Sequence, residues 1–220
     1  MLEKVSVLLP IGGDGVREES FKWILKFYEN LLPEVEICIG RFDEKPFSKS
    51  KAVNIAAGKA TRDIFAIADS DLIYDPKIIE ESIKYLDTHK LVLPFTKINN
   101  LTKTGSEELI KTTPSWPIQG NYDFYQRVAG PGGLNIIRRE HFEQVGGFDE
   151  RFKGWGGEDD AFTLSVRFLC GPAIRLQHIA YHLWHPKGDM SNYKNNKKLY
   201  EAYLRGKQSI LNELENRKNI

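Results

Sequence analysis

The chain has 220 residues, a length that suits one domain with a substantial core and leaves little room for a second. Its 31 lysines and arginines nearly cancel its 30 acids, so no overall field selects nucleic acid or a strongly acidic partner, and any anion site must be local. Cys38 and Cys170 make no CxxC pair or disulfide framework, the amino-terminal apolar run is too short for a signal peptide, and no stretch reaches about 18 apolar residues; the sequence reads as a soluble cytoplasmic protein.

Lys4 to Pro10 (KVSVLLP) is rich in Val and Leu, as expected of a strand buried on both faces in a parallel sheet. After a glycine-rich turn, Phe21, Ile24, Leu25, Tyr28, Leu31 and Leu32 recur at helical spacing until Pro33, and Val35 to Ile39 forms a second strand, completing one βαβ unit. A second helix over Ser50 to Ala60 leads into a third strand, Ile64 to Ala68, which ends in Asp69-Ser70-Asp71. Asp75 and Pro76 suit the N-cap and first turn of a helix running to Leu86, and Leu91 to Phe95 makes a fourth strand. From 97 to 130 the sequence turns polar and proline-containing, which predicts a long functional or mobile loop. Gly133 to Ile137 restarts a strand, Glu140 to Val145 a short helix, and Ala173 to Trp184 one or two further strands.

These elements predict an α/β domain over residues 1–190, Rossmann-like, with a mostly parallel sheet flanked by helices. Residues 191–220 form a C-terminal helical extension, in which Leu199, Tyr203, Ile210, Leu211 and Leu214 keep a rhythm interrupted at Gly206. Packing on the domain is the default for this tail. Peripheral membrane association is the alternative for a basic amphipathic helix, although Glu201, Glu213 and Glu215 dilute its charge.

Chemistry concentrates in Gly146 to Phe162, GGFDERFKGWGGEDDAF. Glu158, Asp159 and Asp160 open a helical pattern, where exposed amides and the helix dipole tolerate carboxylates; capping alone needs only one acid. Gly154, Gly156 and Gly157 free the backbone around Trp155, and a flat ring beside carboxylates is a common way to hold a sugar. Asp69 and Asp71 lie where ligands gather in open α/β sheets, and can hold a cation or simply cap a turn. His182 and His185 lie on or just past a late strand, whose alternation points them to opposite faces unless the chain bends; His185, next to Pro186, is the stronger candidate to complete a shell with Asp71.

The combination resembles the GT-A-fold, metal-dependent, inverting glycosyltransferases, specifically the β-1,4-galactosyltransferases and bacterial family-2 modules such as chondroitin synthase. Four blocks carry it, over about residues 5 to 190: Pro10 ending the first strand, Phe47-Ser-Lys-Ser-Lys-Ala-Val-Asn54, Asp69-Ser-Asp-Leu72, and Gly154-Trp-Gly-Gly-Glu-Asp-Asp160. The resemblance implies a UDP-sugar donor contacted by Pro10, Arg17, Phe47, Lys49, Asp69, Ser70, Gly132 and Gly133. It implies Mn²⁺, with Mg²⁺ as the alternative, on Asp71, His185 and His182, and a carbohydrate acceptor against Trp155, Glu158 and Asp159, with Asp159 as the base. Residues 97 to 130 are expected on the acceptor side, and Leu183 to Asn196 is expected to close as a lid tethered at His185. Lys49 stands where the family pattern has arginine, and His182 where it has methionine.

Three other readings fit part of the pattern. Gly12-Gly-Asp-Gly-Val-Arg17 after the first strand suggests a sugar-1-phosphate nucleotidyltransferase, although Glu18, Glu19 and Ser20 follow it. A metal hydrolase has no need of the tryptophan loop, and a non-catalytic carbohydrate-binding protein has no need of Asp71 and His185 together.

Overall fold

A computed structural model describes residues 1–12 and 15–218, the side chains of residues 15 and 16 excepted. A 3-10 turn, Leu2–Lys4, leads into β1 (Val5–Ile11), buried along its whole length, then α1 (Gly15–Leu31) and β2 (Glu36–Arg41). Helix α2 (Lys49–Lys59) starts at Ser48, whose hydroxyl accepts from Lys51 N, and packs so closely on β2 that a side chain at Gly40 would overlap the Ala52 carbonyl. β3 (Ile64–Ala68), the two-residue β4 (Leu72–Ile73), α3 (Lys77–Ile83) and β5 (Leu91–Leu101) follow. After α4 (Lys103–Leu109) come β6 (Phe124–Val128), β7 (Leu134–Arg138), α5 (Arg139–Gln144), α6 (Glu158–Leu169) and β8 (Ala173–His182). Two helices close the described chain, α7 (Tyr193–Leu204) and α8 (Lys207–Arg217), with Gly206 at φ +93° between them.

The strands form one sheet in the order β2-β1-β3-β7-β5-β8-β4, with β6 added to β5. The α/β class agrees with the sequence; the strand directions differ, because the sheet is mixed rather than mostly parallel. β2-β1-β3 and β5-β8 are parallel, whereas β7 runs antiparallel to both β3 and β5, β6 to β5, and β4 to β8. β6 and β7 run back along one flank of β5, with Lys97 opposite Val128 and Val92 opposite Ile136. The connection over 129–133 is too short for the crossover that a parallel entry needs. Apolar runs look alike in either direction, so this reversal is invisible to hydrophobic pattern.

The polar stretch after residue 97 is also not one long loop. Asn99 and Asn100 are buried strand residues, Asn99 accepting from Gln126 Nε2 at 2.9 Å, and Thr102 caps α4 by accepting from Gly105 N at 3.1 Å. Satisfied polar groups of this kind extend a strand where composition alone suggests a turn.

One face of the sheet buries Leu9, Phe27, Tyr28, Tyr74 and Phe95; the other buries Leu8, Phe65, Phe142, Phe148 and Phe162. A smaller cluster of Phe152, Ala161, Tyr203 and Ile210 docks the two closing helices on α6. Burial of each such side chain contributes about 1.5–3 kcal/mol. Beneath the tail, Asp149 accepts from Tyr203 Oη at 2.7 Å and pairs with Arg151, which also pairs with Glu213, both at 2.7 Å. Among the described residues no helix is long and apolar enough to cross a membrane.

Candidate active site

A cleft of about 1020 Å³ opens beyond the carboxyl ends of β1 and β3, and all the residues singled out as site candidates line it. The floor is built by the first and third strands: Ser70 Oγ donates to Pro10 O at 2.7 Å, and Asp69 N donates to Gly133 O at 2.8 Å. Phe47 lies over Gly12, where a Cβ would overlap its ring. Residues 13 and 14 of the glycine loop lie outside the described residues.

On one wall, Asp71, His182 and His185 each present one ligand atom, all within 4.8 Å of one another. His182 Nε2 is 3.4 Å from Asp71 Oδ1, and His185 Nε2 is 3.3 Å from Asp71 Oδ2. Strand alternation does not separate the two histidines, because β8 ends at His182 and the chain turns, with Leu183 N donating to Asp71 O at 2.8 Å. His185 Nδ1 lies 2.7 Å from Pro186 O and 3.3 Å from Arg17 Nη2. The shorter contact is to an oxygen that only accepts, so Nδ1 carries the proton and Nε2 turns a lone pair toward the carboxylate. A lone pair facing an anion is unfavourable without a cation between them, and Asp71 Oδ1 is buried with no hydrogen bond. Two imidazoles, a carboxylate and a carbonyl that fixes one tautomer therefore fit a divalent cation. Burial pushes the Asp71 carboxyl up, but the surrounding His182, His185, Arg17 and Lys49 side chains prevail and hold it below the usual carboxylate range.

The opposite wall carries the acids. Gly157, at φ +95°, is the N-cap of α6, so Glu158, Asp159 and Asp160 occupy its first turn rather than the cap position. Asp159 is packed on Gly132, where a Cβ would overlap its Oδ2. Burial, together with the charge of Asp69, raises the Asp159 carboxyl against the pull of Lys49. Burial and the neighbouring Asp159 charge push Glu158 up to about 7, and its Oε2 is buried without a hydrogen bond. Trp155 is 54% exposed and stacks on Tyr193 with ring centroids 5.7 Å apart.

Lys49 does not point only at open cleft, as a residue that simply binds the donor should. Its Nζ lies 2.6 Å from Asp69 Oδ1 and 2.8 and 2.9 Å from the two Asp159 oxygens, joining the floor to the acid wall. The ammonium is held charged by these acids, their attraction outweighing its burial.

Sequence reasoning missed the residues that pin the tryptophan loop. Buried Asn196, in α7, donates from Nδ2 to Lys153 O at 3.0 Å and Trp155 O at 3.2 Å, and Asn54, in α2, donates to Phe148 O at 2.9 Å. Trp155 N donates to Asp189 O at 2.9 Å, and Gly154 N to Phe47 O at 2.8 Å. Only the cluster of asparagines at 192–196, where the expected lid meets the helical extension, was a signal for this. Arg127, on β6, also reaches the cleft.

Residues 14–146 match the family described as Glycosyl transferase family 2, and residues 119–194 match the one described as N-terminal domain of galactosyltransferase. The chain belongs to glycosyltransferase family 2. It is 31% identical over 171 residues to the amylovoran biosynthesis glycosyltransferase AmsE of Erwinia amylovora, covering 76% of this chain and 60% of that protein. A shorter segment of 48 residues is 42% identical to beta-1,4-galactosyltransferase 7 of Drosophila melanogaster, covering 22% of this chain and 15% of that protein. The matched segments thus span less than two thirds of either relative. The fold is shared with glucosyl-3-phosphoglycerate synthase from Mycobacterium tuberculosis, solved in complex with Mn²⁺, UDP and glucosyl-3-phosphoglycerate. That likeness has a TM-score of 0.53 at 15% identity and covers 91% of this chain and 78% of the other.

Proposed function

We propose that this domain is a metal-dependent, inverting glycosyltransferase that moves a hexose or N-acetylhexosamine from a UDP-sugar to a hydroxyl of a carbohydrate acceptor. The observation that carries the reading is the placement of a cation-type cluster, Asp71 with His182 and His185, and a pair of half-buried acids, Glu158 and Asp159, on one cleft. A Mn²⁺ ion on that cluster, or Mg²⁺ in its place, neutralises the charge that grows on the leaving diphosphate.

The chain's own groups do the rest. Pro10, Arg17, Phe47, Ser70 and the Gly132-Gly133 pair shape the donor pocket, in which Gly132 leaves room for the Asp159 carboxylate. Trp155 covers the apolar face of the acceptor sugar, and Glu158 Oε2, without a hydrogen-bond partner among the described residues, bonds an acceptor hydroxyl. Asp159 takes the proton of the attacking hydroxyl while the diphosphate departs from the opposite face, which inverts the anomeric centre.

A panel of nucleotide sugars tests the reading, measured as thermal stabilisation and as sugar release in manganese and in chelator. Uridine diphosphate sugars should stabilise the protein in manganese only, since Asp69, Asp71 and a diphosphate repel one another without a cation. Equal stabilisation in chelator would overturn the metal dependence. Turnover of a sugar phosphate with a nucleoside triphosphate would instead favour the nucleotidyltransferase reading.

A further inference from the structure

We propose that Lys49 couples the two walls of the cleft: without donor its ammonium is held by Asp69 and Asp159, and an arriving diphosphate draws it away and frees Asp159 to accept a proton. The inference rests on the donor and base roles given above and adds an order to them. Asp159 becomes a competent base only after the donor is in place.

Lys49 opens α2, its side chain is only 13% exposed, and its Nζ makes three close contacts, to both Asp159 oxygens and to Asp69 Oδ1. Both of its hydrogen bonds go to Asp159, and the third contact is an ion pair with Asp69. Among the described residues, Lys49 is the only basic side chain that pairs with either carboxylate. The other side of Asp159 abuts Gly132. An acceptor hydroxyl entering alone therefore meets a carboxylate whose two oxygens already bond a cation.

The balance of charge makes this arrangement conditional. Asp69, Asp159 and neighbouring Glu158 crowd one ammonium, and a diphosphate arriving beside them is a stronger competitor for it than either carboxylate alone. A lysine suits the exchange, being a compact charge on a flexible four-carbon stem, whereas an arginine fork would hold a carboxylate in a fixed two-point grip.

Binding of UDP with manganese, measured by titration calorimetry, tests the coupling without any need for the sugar or the acceptor. Asp159→Asn releases Lys49 and should tighten UDP binding about tenfold, a coupling usual between contacting charged groups. Lys49→Met alone should weaken binding, and Asp159→Asn placed on it should restore less than about twofold. Asp160→Asn removes the same charge one residue along, from a side chain that makes no bond to Lys49, and should change affinity less than twofold; this control needs no Lys49 variant to fold. If Asp159→Asn tightens binding equally in the Lys49→Met protein, or if Asp160→Asn matches it, simple repulsion accounts for the effect and the coupling is overturned. Unchanged affinity in Asp159→Asn, with wild type binding normally, overturns it as well. If no variant binds UDP, the donor reading falls and takes the coupling with it.

Discussion

The two walls of the cleft are built by different means. Asp71, His182 and His185 stand at strand ends, where the pairing of Leu72 with His182 sets the distance between ligands, so the sheet itself assembles them. Glu158, Asp159 and Asp160 follow Gly154, Gly156 and Gly157, all at positive φ, and are placed by distant groups: the Asn196 amide, the Phe47 and Asp189 carbonyls, and the Lys49 ammonium. A ladder fixes geometry whether or not a ligand is present, whereas a pinned loop depends on each pin. The cation side should therefore be stiff and the acid side adjustable.

Asp159→Asn breaks the acid side chemically and should have the largest effect. The amide keeps the size of the side chain but cannot take a proton, so transfer should fall by roughly two to four orders of magnitude while UDP binding tightens. Asp160→Asn, in the same acceptor assay, should stay near wild type. An inactive Asp160→Asn beside an active Asp159→Asn would reverse the assignment.

Asp71→Asn breaks the other wall. It removes the only carboxylate of the cluster, and manganese-dependent UDP affinity should fall by more than the roughly 10–100-fold that loss of an outer partner costs, with no unfolding in a thermal melt. His185→Ala should behave alike. Retention of manganese-dependent binding in both variants would remove the cation from this wall.

How much of this was legible follows the same division. The strands β1 and β3 and the acids that follow β3 can be read from the sequence because buried parallel strands are continuous apolar runs and their ends are local features. The reversal of β7, the strand within the polar stretch at 124–128 and the short β4 depend on pairing partners far away in sequence. Within the site, motif spacing located Asp159 and Trp155, but the bond from Lys49, across 110 residues, and the bonds from Asn196, across 41 and 43, are tertiary and leave no local trace.

Asn196→Ala tests the pinning directly. The loss leaves the Trp155 carbonyl without its donor and the Lys153 carbonyl with only the longer bond from Asn192 Nδ2, which costs about 1–3 kcal/mol of stability. Amide exchange should rise over 153–157, and acceptor-dependent rates should fall, while UDP and manganese binding stay unchanged. Loss of donor affinity of equal size would show that the two walls are not independently built.

The smallest expected effect is a pH slope belonging to the acid side alone. Burial first, and then the Asp159 charge, move Glu158 from its ordinary value of 4.5 up to about 7. Across that window the folded chain holds a proton that the unfolded chain has released, so stability falls as pH rises from about 4.5 through 7. Asp159 and Asp160 are raised as well and add slope of the same sign, so a single melt does not isolate Glu158. Glu158→Gln does, because the amide is neutral throughout and the other acids remain. Melting temperatures in chelator, compared between pH 5 and pH 8, should drop further for wild type than for Glu158→Gln, and an equal or smaller drop in wild type would mean that Glu158 is charged and compensated in the folded cleft.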